Sequence, residues 1–293
     1  MAKRKTGRKH VNKRRQKKLR RTRKFNGVGG NPSTSIPLVE VLHFTERVNK
    51  AVPTEIKGVP LNIYQSWGTM FLPPKMKECV DKLKATNPEF NHYLYSDEEC
   101  LAFIKNNFDQ EVVDAFNKLK PGAYKSDLWR YCILYKLGGV YIDIKFYTSD
   151  GVSLKGIVEQ HPVVFVRDVD ITSNSCESRI SIYNGFMISP PGNDTFKKCI
   201  DSIILHCKEN LYKNTTLSIT GPCLLGTILS DGKTGEHVES YKKGFIFNLN
   251  LQGIIQMSGK NILEMYPQYR EEQKNTSKTL HYAEMWTKKD VYN

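Results

Sequence analysis

Hydrophobic positions along the chain change period several times, and the changes mark out an alternation of strands and helices. No such pattern exists in residues 1–24, MAKRKTGRKHVNKRRQKKLRRTRK, or in the Gly/Pro/Ser-rich stretch 25–37. VPLNIYQSWG, Val59 to Gly68, reads as a first strand closed by glycine. Pro73-Pro74 opens a helix to Ala85, with Met76, Val80 and Leu83 on one face. Phe90 to Tyr95 predicts a second strand. Ser96 with Glu99 three residues on is a capping box, opening the helix that carries Cys100, Leu101 and Phe103. Glu111 to Leu119 is a further short helix. In PGAYKSDLWRYCILYKLGGVYIDIKF, Pro121 to Phe146, the period is helical first, with Tyr124, Leu128, Tyr131, Cys132 and Tyr135 in one stripe. Gly138-Gly139 stops this helix, because glycine accepts the left-handed cap conformation. The period then becomes two: Val140, Ile142, Ile144 and Phe146 face one side of a single strand, and Tyr141, Asp143 and Lys145 the other.

Beyond Phe146, Pro162 to Val166 is a short buried strand ending at Arg167-Asp168, and Ser173 to Ser178 a polar loop. Ile180 to Ser189 is a strand, Asp194 to Asn210 a helix, and Thr220-Gly221-Pro222 opens a helix to Leu229. Residues 231–240 form a polar loop, and Tyr241 to Gln256 predicts a hairpin through the Asn248-Leu249-Asn250 region. This order predicts an α/β fold.

Charge divides the chain. The net charge is +14, and of 44 Lys and Arg, 14 fall in residues 1–24, which contain no acid. The remainder carries 30 basic and 30 acidic side chains. The division is therefore a disordered polybasic arm over 1–24, a linker and lead-in over 25–58, and one domain over 59–293. The arm suits a polyanion, either nucleic acid or anionic lipid, or a nuclear or nucleolar address; a plain solubilising tail is the alternative. No run of about 18 apolar residues is present for a transmembrane helix, and no apolar segment follows the basic start as a signal peptide requires. Seven cysteines without paired metal-ligand spacing, among them Cys79, Cys100, Cys132, Cys199, Cys207 and Cys223, read as reduced buried thiols. The expected location is cytoplasmic.

The chemistry gathers in Pro121–Phe146. Asp127 and Arg130 stand three apart on one helix surface and reach into one space. The strand after the glycines presents an aromatic, a carboxylate and an amine, and ligands bind at strand ends in open α/β sheets. The run Ser126-Asp127-x-x-Arg130-Tyr131-x-x-Leu134-x-x-x-Gly138-Gly139-x-Tyr141-x-Asp143 resembles the sugar-binding region of the DXD glycosyltransferases. That group holds the yeast initiation mannosyltransferases, capsular-polysaccharide enzymes and the catalytic domains of large clostridial toxins. The resemblance runs from Val59 to Trp286. It implies a GT-A-like, Rossmann-type nucleotide-sugar transferase domain of hexosyltransferase type, moving a sugar from a nucleotide diphosphate to a glycan or glycoprotein with retention. No double-displacement nucleophile is visible, which favours same-face attack. An unrelated Rossmann-type enzyme is disfavoured, because no Gly-rich phosphate loop follows the first strand. A basic arm without a membrane anchor looks like the product of a large DNA virus, with the host cytoplasm or virion as its place.

By this resemblance Asp127 accepts bonds from sugar hydroxyls, Arg130 donates to sugar or phosphate, and Asp143 holds ribose, sugar or metal. Gln65, Trp67 and Tyr141 would bind the nucleotide, with Trp67 stacking on the base. Asn184, Thr220 and Gly221 would meet the sugar. His281, five residues before Trp286, would be a metal ligand and Trp286 a lid over the diphosphate. The departure is Lys145, where the pattern has its second Asp. Side by side on a strand, the side chains of residues 143 and 145 would project about 7 Å apart, so an ammonium there removes a ligand and repels Mn²⁺ or Mg²⁺. Three outcomes stay open: Lys145 itself neutralises the diphosphate; Asp143 and His281 hold the metal with the diphosphate; or catalysis is lost, leaving a polyanion-binding or structural protein.

Overall fold

The chain closes its largest sheet around the three residues that follow β7. The computed structural model describes residues 39–40, 54–233, 244–276 and 280–293. The polybasic arm, the stretch 25–37 and most of the polar loop 231–240 lie outside them. The described residues belong to one compact unit. Its elements are β1 (Val39–Glu40), β2 (Glu55–Ile56), β3 (Val59–Pro60), β4 (Asn62–Ser66), β5 (Phe71–Leu72), α1 (Pro74–Thr86), β6 (Asn91–Tyr95), α2 (Asp97–Asn107), α3 (Gln110–Lys118), α4 (Gly122–Leu137), β7 (Gly139–Ile142) and β8 (Phe146–Thr148). There follow α5 (Leu154–Gln160), β9 (Val164–Arg167), α6 (Asp170–Ser175), β10 (Ile182–Ser189), α7 (Asp194–Glu209), α8 (Pro222–Leu229), β11 (Phe247–Leu249), β12 (Ile255–Met257) and β13 (Lys260–Met265). Two further helices, Tyr269–Thr276 and Tyr282–Thr287, end the chain.

Nine strands make one mixed sheet in the order β6-β4-β7-β10-β9-β11-β12-β13-β8. β4 is parallel to β6 and β7, whereas β10 runs antiparallel to β7 and β9. The expected α/β class is what is found. β7 and β8 are separated in sequence only by Asp143, Ile144 and Lys145, yet they stand third and ninth in the sheet. The sheet must therefore curl until its last strand returns to the end of its third. The seam is fastened by backbone bonds: Asp143 N donates to Gly185 O at 2.8 Å, and Tyr266 N to Lys145 O at 3.1 Å.

Two of the three apolar clusters flank the curl. Inside it pack Ile63, Val140, Ile142, Phe146, Phe186 and Phe247. Outside, the helices α2, α3, α4, α7 and α8 cover Tyr64, Tyr141 and Met187. Helix α4 lies at the centre and is buried all round from Asp127 to Leu134, rather than along the one stripe its period suggested. It ends where Gly138 takes φ 64° and Gly139 φ 107°. A Cβ at Gly138 would stand 2.5 Å from Pro191 N, and one at Gly139 2.9 Å from Asn62 O.

Four expectations are corrected. The strand predicted through Phe146 breaks at Asp143, because the chain leaves one part of the sheet for another there; Tyr141 is thus buried under α4 and not on a polar face. The loop expected at Ser173–Ser178 is partly helix α6. Cys223 is not a free thiol, since it forms a disulfide with Cys176 across 47 residues of sequence, a pairing no local spacing announces. The other named cysteines, Cys79, Cys100, Cys132, Cys199 and Cys207, are free and buried, and burial pushes each thiol up. The first strand is interrupted, as β3 and β4. The hairpin is β11–β12, but Asn248 and Leu249 lie in its first strand and the connection follows from Asn250; a third strand, β13, extends it.

Gly138→Ala combines a left-handed φ with a backbone collision, so it should cost more than about 1 kcal/mol of unfolding free energy. Urea unfolding of the variant checks this, and a midpoint equal to wild type would count against the tight α4–β7 turn.

Candidate active site

The carboxylates and cations singled out in the sequence meet where the parallel strands β4, β6 and β7 end. α4 presents Asp127 and Arg130 from one face, three residues apart, and both are buried. The Arg130 guanidinium lies over the Tyr141 ring at 4.4 Å. Its donors are committed to the protein: Nη1 to Asn184 O at 2.8 Å, Nη2 to Ser126 Oγ at 2.9 Å, and Nε to Ser126 O at 3.2 Å. It also pairs with both acids, Asp143 Oδ1 at 3.2 Å and Asp127 Oδ1 at 3.4 Å. The planar fork suits this double pairing, which a lysine could not make. Arg130 therefore ties α4 to β10 and to the residue after β7.

Asp127 accepts from Asn184 Nδ2 at 2.9 Å and from Thr220 Oγ1 at 2.8 Å. Asn184 also donates to the Tyr131 hydroxyl at 3.0 Å. A Cβ on Gly221 would come within 3.2 Å of Asp127 Oδ2, so the Thr220-Gly221 backbone abuts this carboxylate. Burial raises the Asp127 carboxyl above its ordinary value, opposed by Arg130.

Asp143 is gripped on both oxygens. Oδ1 receives the Tyr141 hydroxyl at 3.0 Å and Arg130; Oδ2 receives Lys145 Nζ at 2.6 Å and the Tyr183 hydroxyl at 3.2 Å. Burial would raise this carboxyl, but Lys145 and then Arg130 overcome it and hold it well below the usual carboxylate range. Asp143 and Lys145 do not project in parallel from a strand; the turn between β7 and β8 folds the ammonium back onto the carboxylate. Lys145 Nζ sits 5.3, 5.4 and 5.5 Å from the ring centroids of Phe146, Tyr269 and Tyr183.

A supporting layer lies behind the turn. Gln65, fully buried on β4, donates Nε2 to Asp143 O at 3.4 Å. Its Oε1 lies 2.8 Å from His92 Nε2. Desolvation pushes the His92 imidazole down to about 4, so the ring is neutral at pH 7 and Nε2–H donates to Gln65. Trp67, one residue beyond β4, is half-buried against the cluster of Leu72, Met76, Ile144 and Tyr269, beside the same turn.

His281 and Trp286 are engaged elsewhere. His281 caps the helix Tyr282–Thr287, its Nδ1 accepting from Ala283 N at 3.3 Å. Trp286 Nε1 donates to Tyr212 O at 2.8 Å, and Lys289 covers its ring. Among the described residues no three His, Cys, Asp or Glu side chains form a group that could hold a metal ion. Sequence reasoning assigned no role to His92, Ser126, Tyr183 or Tyr269. Ser126 lay inside the quoted run, next to Asp127. The other three had no signal, because they reach the turn from β6, β10 and the helix Tyr269–Thr276. A cavity of about 450 Å³ opens nearby between Arg167–Ile171 and Asn248–Gln252, with Asp168 in its wall.

Residues 73–155 match the family model of the glycosyltransferase sugar-binding region containing DXD motif. This segment is therefore similar to the DXD-type glycosyltransferases over about a quarter of the chain. A mannosyl phosphorylinositol ceramide synthase of Saccharomyces cerevisiae is 28% identical over 184 residues, 62% of this chain and 45% of that one. The initiation-specific alpha-1,6-mannosyltransferase of Candida albicans is 28% identical over 140 residues, 45% of this chain and 35% of that one. An uncharacterized glycosyltransferase of Acanthamoeba polyphaga mimivirus is 31% identical over 88 residues, 29% of this chain and 35% of that one. The chain thus spans less than half the length of these relatives. The solved PaToxG glycosyltransferase aligns at a TM-score of 0.44 and 16% identity over 59% of this chain and 69% of that one, too distant to argue from. No helix of the described residues is long and apolar enough to cross a membrane.

Asp143→Asn should leave Arg130 and Lys145 short of a counter-charge and lower unfolding stability by roughly 3–5 kcal/mol. Urea denaturation measures it, and a loss no larger than a surface pair's would remove the carboxylate from its central place. His92 makes a pH prediction. Its folded value of about 4 lies below the free value of about 6.5, so the unfolded chain takes up a proton first as pH falls. The stability it contributes is complete above about 6.5 and is lost on descending towards 4. A His92→Gln variant should show a flatter stability curve across that window; parallel curves would contradict it.

Proposed function

We propose that this chain transfers a hexose from a nucleoside diphosphate sugar to a hydroxyl of a glycan-type acceptor. The observation that carries the reading is that the helix, double glycine and strand of the DXD-type region fold into one cluster, in which Arg130 grips both Asp127 and Asp143 beside the caged Lys145. The relatives named as mannosyltransferases of yeasts support a hexose such as mannose.

Cleaving the bond between C1 and a diphosphate builds positive charge on the sugar and negative charge on the leaving group. Here the charges are set in place beforehand. Lys145 faces the developing phosphate charge. Oδ2 of Asp127 holds one donor, Thr220, which leaves an acceptor position for a sugar hydroxyl. Trp67 at the end of β4 offers a face for the base. Neither carboxylate of the cluster is poised as a nucleophile, since each is held by Arg130 and by further donors. Attack of the acceptor hydroxyl on the face the diphosphate leaves, with retention, is the reading this favours. The acceptor is assigned to the cavity beside Asp168, whose carboxylate lies within electrostatic reach of Lys145.

Uridine and guanosine diphosphate sugars, offered singly to the full chain, should show release of free sugar or transfer to added glycosides for one donor. Asp127→Asn should slow that turnover by about a hundredfold or more. Silence with every donor, or a variant as fast as wild type, would sink the reading.

A further inference from the structure

The DXD-type region implies a divalent cation between two carboxylates and the diphosphate, and the residues present do not fit one. A hard cation such as Mn²⁺ or Mg²⁺ needs several oxygen ligands, anionic ones above all. The second carboxylate position is Lys145. The first, Asp143, has four acceptor positions, and four donors already occupy them: Tyr141, Arg130, Lys145 and Tyr183. A dication bound there would have to displace at least one of these and stand close to the positive charges of Arg130 and Lys145. Among the described residues no other His, Cys, Asp or Glu completes a ligand set.

The same atoms suit a different arrangement. Exchanging a carboxylate for an ammonium changes the local charge by two units, the amount a divalent cation would bring. Asp143 with Lys145 is neutral, as two carboxylates with one dication would be. Lys145 is also set up as a ligand group. Its side chain is 13% exposed, and the rings of Phe146, Tyr183 and Tyr269 surround the nitrogen. Asp143 Oδ2 is its one hydrogen-bond acceptor among the described residues, which leaves two N–H groups for an incoming anion. Partial exclusion of water strengthens what those groups do for phosphate oxygens.

We propose that the Lys145 ammonium is the diphosphate-binding cation of this protein, so that the nucleoside diphosphate binds without a divalent metal. Asp143 is its positioning residue, and Gln65 with His92 hold the turn that carries both. This rests on the reading of the site as one for a nucleoside diphosphate sugar.

The test titrates GDP and UDP into the full chain by calorimetry, in EDTA and in MnCl₂, and follows Mn²⁺ itself by electron paramagnetic resonance. Wild type should bind one of the two nucleotides in EDTA, with Mn²⁺ changing Kd by less than about threefold. Lys145→Gln should weaken binding in EDTA by about tenfold or more, and Lys145→Arg, which keeps the charge, should retain much of it. Lys145→Asp should bind nucleotide only with Mn²⁺ and should immobilise the ion, which wild type leaves free. Wild type that binds nucleotide only with Mn²⁺ overturns the proposal and leaves the nucleotide reading standing. Binding of neither nucleotide under either condition overturns both. The wild-type titrations decide this even if a variant fails to fold.

Discussion

One buried carboxylate, Asp143, organises the structure around it. Its four donors come from helix α4, strand β7, strand β10 and the turn into β8, so a single side chain locks four parts of the chain together. Removing such a group from water costs several kcal/mol, which only close opposite charges and a full set of hydrogen bonds offset. Arg130 and Lys145 supply the charges, and the two tyrosines complete the bonds. The balance is kept within the cluster, which leaves the ionised form favoured despite burial.

That lock sits where the sheet has to close. β7 and β8 stand third and ninth in a nine-stranded sheet but are joined by three residues, so the curl and the position of the turn determine each other. The turn also lies at the ends of three parallel strands, the place where an α/β sheet offers a crevice. Ser66, Tyr95 and Ile142 end those strands, and Trp67, Ser126, Asp143 and Lys145 collect just beyond. Fold and site thus share one constraint.

A second layer keeps the turn in place. Gln65 reaches Asp143 through its amide while His92 orients that amide from the next strand. The Thr220-Gly221 start of α8 and Asn184 on β10 do the same for Asp127. Most polar groups around the two carboxylates are paired with one another, which favours a rigid arrangement over one that rearranges on binding.

What the sequence determined alone is the part written in short-range physics. The period change at Gly138-Gly139, the Ser96 capping box and the helix after Thr220-Gly221-Pro222 depend on residues within a turn or two of one another, and each stands where it was read. The pairing of Asp127 with Arg130 is likewise a property of helical spacing. Only tertiary structure decided the rest. Asn184 meets Asp127 across 57 residues, Thr220 meets it across 93, and Cys176 finds Cys223 across 47. The uninterrupted alternation from Val140 to Phe146 satisfied every local rule for a strand. The chain breaks it where β8 leaves to pair with β13 and Ile144 packs against Tyr266 and Tyr269, more than a hundred residues away.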